Sequence, residues 1–337
     1  MVLTRSSLTR RKQSVVIVIV LCAVVCLSGL VLQGVSRREL QDETSSETYA
    51  YIDTLIQACG SLCQVGAGFF EESRFFQRRV VQFSCTTVFS DDVFVQHGHG
   101  LAEPPKDIPP RLLPDFTLGG SVPIKERYFS QMYLNKVAKT AIWSRQLVED
   151  MKNLALVGQL KGNYGADETN HLKSALARAT GVQGGRVLVI GSENPWVEAT
   201  LLAVGASEII TLEYGAIISH HPQIMTMTPL TFKKLYLKHA LGQFDSIVTF
   251  SSIEHSGLGR YGDALNPWGD VLEIARSYCV CKQGGSLVIG VEYGSDEIQF
   301  NAHRVYGHLR WPYLATNWVQ VHREDAGRQR VHVFSKP

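Results

Sequence analysis

Short apolar runs alternate with amphipathic stretches along the second half of the chain. Residues 187–190 are apolar and rich in β-branched side chains, and Gly191 follows them, which is typical of a buried parallel strand. Apolar residues at 196–205 recur at helical spacing, and 209–212 predict a second strand that ends at Glu213. The carboxylate follows the first glycine by about 20 residues, the spacing at which a Rossmann-like fold presents an acid to a ribose.

The alternation continues toward the carboxyl terminus. Further strands are predicted at 224–228, 244–250 and 286–291, and helices are predicted between them at 230–241 and 265–281. Residues 318–322 and 330–334 alternate with period two on either side of a short turn, which predicts a β-hairpin. A parallel sheet that finishes in an antiparallel hairpin differs from a dinucleotide-binding dehydrogenase, which would continue with parallel units.

An apolar stretch near the amino terminus, residues 15–33, has nearly the length that spans a bilayer. The positive charges lie mainly before it, within residues 1–14, so that end is expected to stay in the cytoplasm. The prediction is a single-pass type II signal-anchor helix, with the rest of the chain in the lumen of the Golgi or endoplasmic reticulum. A cleaved signal peptide is the alternative interpretation.

Three further regions follow the anchor. Residues 34–124 contain cysteines and prolines and are interpreted as a stem with an irregular region. Residues 125–180 carry apolar side chains at helical spacing, which predicts amino-terminal helices or a helical lid. The α/β pattern occupies 181–337 and forms the last domain.

Length, net charge and cysteine spacing limit the classes of function that the chain can have. A chain of 337 residues with a formal charge of +2 is long enough for one large α/β domain, and it offers no electrostatic case for nucleic acid as a partner. The seven cysteines do not form paired zinc-ligand spacings, so no metal site is expected. In an oxidising lumen, Cys59, Cys63 and Cys85 become disulfide candidates.

The order of elements from about residue 165 to 334 resembles the class I S-adenosylmethionine-dependent methyltransferases. The resemblance implies a Rossmann-like α/β fold, with a seven-stranded mostly parallel sheet and a carboxyl-terminal antiparallel hairpin. Gly191 takes the place of the glycine-rich turn after the first strand, and Glu213 that of the acid that grips the ribose hydroxyls. Residues 251–255, Ser-Ser-Ile-Glu-His, are similar to the segment after the fourth strand. The stretches 195–199, 254–263 and 266–270 resemble, more narrowly, the family of unknown function numbered 268.

S-adenosylmethionine is the cofactor that this resemblance implies. Its predicted contacts are Gly191, Ser192, Glu193, Glu213, Tyr214, Ser251 and Ser252. The usual Gly-x-Gly-x-Gly turn keeps only Gly191 here, so the backbone must turn differently. A carboxylate such as Glu193 suits a sulfonium cation better than a pyrophosphate, which argues against NAD or FAD. Because the other glycines of this turn are missing, the sequence leaves open that cofactor binding has been lost.

Catalytic candidates follow the predicted central strand. His255 is a candidate base for a hydroxyl acceptor, because an unperturbed imidazole titrates near neutrality. Glu254 would orient His255 or touch the cofactor, and Asp263 is a second candidate base. Arg260, Tyr261 and Glu292 are predicted to bind the acceptor. For His255 the alternative is a structural role, as a side chain that caps or packs the loop.

These observations lead to two hypotheses. The first is a membrane-anchored lumenal methyltransferase that O-methylates a glycan or another small acceptor, by analogy of layout with glycan-modifying enzymes. The second is a catalytically inactive methyltransferase-like scaffold that binds a partner through aromatic residues at 128–143. A Rossmann-like glycosyltransferase is the least favoured hypothesis. It would need a metal-binding Asp-x-Asp motif after a strand, and the sequence has none there.

Overall fold

A computed structural model describes residues 57, 59–72, 76–90, 106–129, 140–261, 263–327 and 329–337. The chain divides into Met1–Thr54 and Leu55–Pro337, and all of the described residues belong to the second unit. The predicted cytoplasmic tail and anchor, residues 1–33, lie outside the described residues. Among the helices that are described, none combines the length and the hydropathy that crossing a bilayer requires.

The strands run through the whole of the described chain. In order they are β1 (Phe69–Glu72), β2 (Gln77–Val80), β3 (Ile124–Arg127), β4 (Ala141–Trp143), β5 (Arg186–Ile190), β6 (Glu208–Leu212), β7 (Ile217–Ser219), β8 (Ile224–Met227), β9 (Phe244–Phe250), β10 (Cys281–Glu292), β11 (Glu297–Asn301), β12 (His303–Val305), β13 (Val319–Ala326) and β14 (Gln329–Ser335).

The helices that pack around these strands vary from four to 13 residues. In order they are α1 (Cys85–Ser90), α2 (Leu113–Phe116), α3 (Arg145–Leu156), α4 (Ala166–Arg178), α5 (Trp196–Ala203), α6 (Pro229–Leu237), α7 (Gly269–Val280) and α8 (Trp311–Leu314). Short 3-10 turns occupy Gly60–Leu62 and Ile253–His255.

The main sheet has seven strands in the order β13-β14-β10-β9-β5-β6-β8. The pairs β10–β9, β9–β5, β5–β6 and β6–β8 are parallel. Strand β14 is antiparallel to both β10 and β13, which confirms the predicted hairpin. The sheet is therefore mixed, and its description as mostly parallel was wrong: the returning strand β14 enters between β10 and β13 and reverses the pairing at that side.

Burial of both faces explains why the central strands read as apolar runs. Val187 and Val189 of β5 pack into the cluster that contains Leu172 and Leu176 of α4. Side chains alternate along a strand, so Leu188 and Ile190 face the other side of the sheet, where they are also buried. Parallel strands covered on both faces have this continuous apolar character.

The region predicted as helical, 125–180, differs from that prediction at its start. Residues 125–127 belong to β3, which pairs with β11, and 141–143 form β4, which pairs with β7. The first helix among the described residues of this region begins at Arg145, where the Ser144 hydroxyl accepts a hydrogen bond from the backbone N–H of Leu147. Strand pairing with distant segments overrides the local helical spacing of the apolar residues. The intervening residues 130–139 lie outside the described residues.

The cysteine-containing region carries two disulfides. Cys59 is joined to Cys63, and Cys85 of α1 is joined to Cys279 of α7, 194 residues further along the chain. The disulfide candidates named from the sequence are thus all paired, with Cys279 as the partner that was not foreseen. Cys281 is free and buried, and burial raises the pKa of its thiol to about 11.

The long-range disulfide generates a stability prediction. Replacing Cys85 and Cys279 with serine is expected to lower the free energy of unfolding by about 2–4 kcal/mol, because the bond restricts a long loop of the unfolded chain. The matched control is the Cys59→Ser/Cys63→Ser pair, whose bond spans a separation of only 4 residues and should matter less. Denaturant unfolding of the full-length chain measures both values. An equal or larger loss in the control would contradict the prediction.

Candidate functional site

A cavity of about 360 Å³ opens where β5, β6, β9 and β10 end. Ile190, Leu212, Phe250 and Glu292, the last residues of these four strands, all line it. Parallel strands direct their carboxyl ends to one edge of the sheet, and ligands of open α/β sheets bind outside that edge. The volume lies within the range of small-molecule sites.

Every site residue predicted from the sequence lies at this cavity. They are Gly191, Ser192, Glu193, Glu213, Tyr214, Ser251, Ser252, Glu254, His255, Arg260, Tyr261, Asp263 and Glu292. The structure thus brings the predicted cofactor contacts, the predicted catalytic residues and the predicted acceptor residues into one space. Their individual roles remain predictions.

Gly191 forms the turn directly after β5, with a φ of 74°. A Cβ built on this residue would lie 1.7 Å from the Ser252 Oγ and 2.4 Å from the Ser252 Cβ. Both the left-handed backbone and the close approach therefore require glycine at this position. The glycine lets the ends of β5 and β9 meet at the wall of the cavity.

Glu213 closes this turn from the neighbouring strand end. Its Oε2 accepts a hydrogen bond from the Ser192 N–H at 2.9 Å, and its Oε1 accepts one from the Tyr214 N–H at 2.7 Å. Burial raises the pKa of Glu213, and these backbone bonds oppose that effect because they favour the charged form. Each carboxylate oxygen accepts more than one hydrogen bond, so further acceptor capacity remains.

A second carboxyl group, missed from the sequence, supports the same turn. Glu198 of α5 is fully buried and accepts hydrogen bonds from the Ser192 hydroxyl at 3.0 Å and the Thr211 hydroxyl at 2.7 Å. Burial raises its pKa to about 7. The available signal was a glutamate inside an otherwise apolar helix, since charged residues are rarely fully buried without a partner.

Glu254 lies in the 3-10 turn that follows β9. Its side chain is only 2% exposed, and its Oε1 accepts a hydrogen bond from the Ser251 hydroxyl at 2.8 Å. The other oxygen, Oε2, is buried and has no hydrogen-bond partner among the described residues. Burial raises the pKa of Glu254 to about 7.

His255 differs from its expected chemistry. Its Nδ1 lies 2.6 Å from the carbonyl oxygen of Ala302, which only accepts, so Nδ1 carries the proton and Nε2 is left as an acceptor. Burial lowers the pKa of His255 to about 3, and the neighbouring charge of Arg260 acts in the same direction. The imidazole is therefore neutral at physiological pH, and the near-neutral titration expected of a base does not hold.

Asp263 organises the loop that closes the cavity. Its Oδ2 accepts a hydrogen bond from the Gly257 N–H at 2.7 Å, and its Oδ1 accepts one from the Tyr261 N–H at 3.3 Å. In the same loop, Arg260 donates to the Ala302 carbonyl at 3.1 Å and stacks over the ring of Phe129 at 4.7 Å. Both carboxylate oxygens of Asp263 are engaged in holding the backbone, which favours a structural role.

A buried ionic network holds this loop from beneath. Asp270 accepts two hydrogen bonds from Arg310, at 2.9 Å and 2.7 Å, and the carboxylate also lies 3.7 Å from Arg304. Arg304 in turn donates to the carbonyl oxygen of Ser256 at 2.6 Å and to that of Pro267 at 3.3 Å. Coulombic attraction to the two arginines lowers the pKa of Asp270 against the opposing effect of burial.

Aromatic residues from distant parts of the chain complete the wall of the cavity. The Phe250 ring lies 5.0 Å from that of Trp196 and 5.6 Å from that of Tyr164. Tyr164 comes from the segment before α4, and His303 and Gln329 reach the cavity from β12 and β14. These residues were missed because no local pattern in the sequence relates them to the strand ends.

The charges of the lining select among ligands. Carboxylates predominate: Glu193, Glu213, Glu254, Asp263, Glu273 and Glu292. Arg260 is the arginine among the described lining residues, and no lysine is among them. A pyrophosphate would be repelled, whereas a nucleoside that carries a cationic group fits both the acidic lining and the orphaned Oε2 of Glu254. No group of three or more described histidine, cysteine, aspartate or glutamate residues forms a metal site.

Comparison with known families gives one match. Residues 184–335, somewhat under half of the chain, match the family described as DUF268, Caenorhabditis protein of unknown function. The predicted resemblance to that family is thereby confirmed. No curated protein matches the chain.

Several solved structures resemble the chain. One is the 1,6-didemethyltoxoflavin-N1-methyltransferase of Burkholderia thailandensis with bound S-adenosylhomocysteine (12% identity, 49% of this chain, 78% of that chain, TM-score 0.34). Another is the N-methyltransferase NodS of Bradyrhizobium japonicum in complex with S-adenosylhomocysteine (13% identity, 57% of this chain, 99% of that chain, TM-score 0.34). A third is an O-methyltransferase family protein from Burkholderia thailandensis (9% identity, 56% of this chain, 58% of that chain, TM-score 0.35).

The Gly191 turn generates a prediction with a matched control. Gly191→Ala is expected to cost more stability than Gly184→Ala, although the two glycines have nearly the same φ, 74° and 71°. At Gly184 a Cβ meets nothing within 4 Å, so only backbone strain of about 1–2 kcal/mol applies. At Gly191 the clash with Ser252 is added.

Denaturant unfolding of the two variants measures this difference. Combining Gly191→Ala with Ser252→Gly is expected to recover part of the loss, because it removes the atoms that the new Cβ would meet. Equal losses in the two single variants would show that the close approach at the cavity wall is not a constraint.

Proposed function

We propose that this chain is an S-adenosylmethionine-dependent methyltransferase. The observation that carries the proposal is the Glu213 carboxylate, which is bonded to the Ser192 N–H and thereby joins the first strand's turn to the second strand's end. An acid in this position at the carboxyl edge of a parallel α/β sheet suits the hydroxyl groups of a ribose. The cavity beside it is large enough for a small molecule.

The residues that would hold the cofactor follow from their places in the cavity. Glu213 would accept hydrogen bonds from the ribose, and the Gly191 turn would allow the close approach of the ligand. The aromatic rings of Tyr164 and Phe250, tilted by 46° to each other, offer apolar contacts. The acidic lining favours the positive charge at the sulfur of this cofactor over the negative charge of a dinucleotide.

The acceptor side is proposed to take a hydroxyl group of a glycan or another small molecule. His255 has Nε2 as a neutral hydrogen-bond acceptor, and Glu254 has a carboxyl oxygen without a partner in the described part of the chain. Both groups suit an acceptor that donates hydrogen bonds. The carboxylates of the lining disfavour acceptors that carry phosphate or carboxylate groups, because like charges repel.

We place the proposed enzyme in the secretory pathway, as a single-pass membrane protein with a lumenal domain in the Golgi or endoplasmic reticulum. The basic residues before the apolar stretch at 15–33 support this orientation. The disulfide between Cys85 and Cys279 supports an oxidising compartment, since such bonds are rare in the cytosol.

The alternative is an inactive scaffold with a methyltransferase-like fold. The single glycine in the turn after β5 is the observation that favours it, because fewer glycines restrict how a ligand meets the backbone. This alternative predicts that the cavity binds no S-adenosylmethionine.

Binding decides between the two. Calorimetry of the full-length chain with S-adenosylmethionine is expected to give saturable heat, and Glu213→Gln is expected to weaken binding by about 10–100-fold. The loss corresponds to one hydrogen bond to a charged group, about 1.5–3 kcal/mol. The matched control is Glu208→Gln, which changes the same residue type at the opposite end of β6 and should leave binding intact.

Thermal unfolding of each variant separates loss of ligand contact from loss of fold. Absence of heat with the folded wild-type chain would remove the enzyme proposal and favour the scaffold. Equal affinity in the wild-type and Glu213→Gln proteins would remove the assigned role of Glu213.

A further inference from the structure

One oxygen of the buried Glu254 carboxyl group, Oε2, has no hydrogen-bond partner among the residues that the structure describes. Buried side-chain oxygens in folded proteins nearly always have a hydrogen-bond partner, so this lone pair is an exception that points to a ligand. The residue that holds the carboxyl group, Ser251, has a φ of 48°, in the left-handed region that serine rarely adopts. Strained backbone of this kind is concentrated at functional sites.

The groups around Glu254 do not satisfy this oxygen. The charged and titratable side chains that face it from neighbouring elements are Tyr164, Arg260, Tyr261, Glu292, Arg304 and Tyr306. Of these, Arg304 donates to the backbone carbonyl of Glu254, at 3.4 Å, and Glu292 repels the carboxylate. The Ser251 hydroxyl and the positive charge of Arg260 favour the ionised form of Glu254, and a positive charge that enters the cavity would favour it further.

We propose that Glu254 takes the proton that the acceptor loses during methyl transfer, and that its ionisation follows the charge present in the cavity. The proposal rests on the proposed function, and it assigns to Glu254 the role of base that the sequence favoured for His255. A cationic cofactor in the cavity would keep Glu254 ionised and ready to accept. Once that charge is lost, Glu254 holds the proton until it passes to solvent.

The atoms and charges of the step balance. S-adenosylmethionine, when bound, supplies an electrophilic methyl group and one positive charge at sulfur. The acceptor oxygen forms a bond to the methyl carbon, the carbon–sulfur bond breaks with its electron pair left on sulfur, and the acceptor's proton moves to the carboxylate of Glu254. The positive charge lost at sulfur is matched by the negative charge lost at Glu254.

The other two candidate bases are less suited. The Nδ1 of His255 donates to the Ala302 carbonyl, and burial lowers the pKa of His255 to about 3, so the imidazole holds a proton poorly. The two oxygens of Asp263 are each bonded to a backbone N–H. Glu254, whose pKa burial raises to about 7, exchanges a proton readily at neutral pH.

Proton release on cofactor binding tests this assignment without a known acceptor. Calorimetry of the full-length chain with S-adenosylmethionine at pH 7, in buffers of different ionisation enthalpy, measures the number of protons released. A group with a pKa of about 7 is half protonated at that pH, so the wild-type chain is expected to release up to about half a proton more than Glu254→Gln does. S-adenosylhomocysteine, which lacks the positive sulfur, is expected to show a smaller difference.

A second buried glutamate provides the matched comparison. Glu198 also has a pKa of about 7, but both of its oxygens accept hydrogen bonds from hydroxyl groups. Proton release that disappears in Glu198→Gln and persists in Glu254→Gln would overturn the proposal. Equal release by the wild-type and Glu254→Gln proteins, with both binding S-adenosylmethionine, would overturn it as well.

An infrared measurement keeps the test independent of the variant's folding. On addition of S-adenosylmethionine to the wild-type chain at pH 7, the carbonyl stretch of a protonated carboxyl group is expected to weaken as Glu254 ionises. An unchanged band in a chain that binds S-adenosylmethionine would contradict the assignment. Failure of S-adenosylmethionine to bind at all would instead count against the proposed function.

Discussion

The hydrogen bond between the Glu213 carboxylate and the Ser192 N–H sets the shape of the cavity. It exists because β5 and β6 are parallel neighbours, so their carboxyl ends lie at the same edge of the sheet. The strand ends alone would leave a loose turn after β5. With Glu213 on one side and the buried Glu198 beneath, Ser192 is held by its backbone N–H and by its hydroxyl group. The same turn meets Ser252 at the end of β9, where only a glycine at 191 leaves room.

The loop at 256–261 beside the cavity depends on a different kind of interaction. Arg304 and Arg310 share the buried Asp270. Their other hydrogen bonds reach the backbone carbonyls of Glu254, Ser256, Asn266 and Pro267. Burying such charges carries a large desolvation penalty, so the network is weak evidence for stability. What it supplies is geometry: planar guanidinium groups fix the backbone beneath the loop that carries His255 and Arg260.

The sequence predicted the parts of the site that depend on strand ends. Gly191, Glu213 and Ser251 each follow an apolar run, and the edge rule for parallel strands brings them together whatever the details of packing. The rest depends on contacts between distant segments. Tyr164 reaches the cavity from before α4, and β3 forms against β11 rather than continuing as a helix.

The protonation states of the site residues could not be predicted from the sequence either. Nothing near His255 in the chain indicates that Ala302, 47 residues away, accepts its Nδ1–H, or that burial lowers its pKa so far. The mixed strand pairing of the sheet also depends on contacts between distant segments.

The hairpin was predicted from the period-two alternation of its residues, but the position of β14 between β10 and β13 is set by tertiary packing.

The arrangement around Glu254 bears on whether the fold is a working site or a scaffold. A buried carboxyl oxygen without a partner costs stability, and so does a serine held at positive φ. A scaffold would gain nothing from either feature, because an apolar residue at position 254 would remove the desolvation cost. Both features are explained together if the oxygen meets its partner in a ligand, since the strain at Ser251 then holds the carboxyl group where that partner arrives.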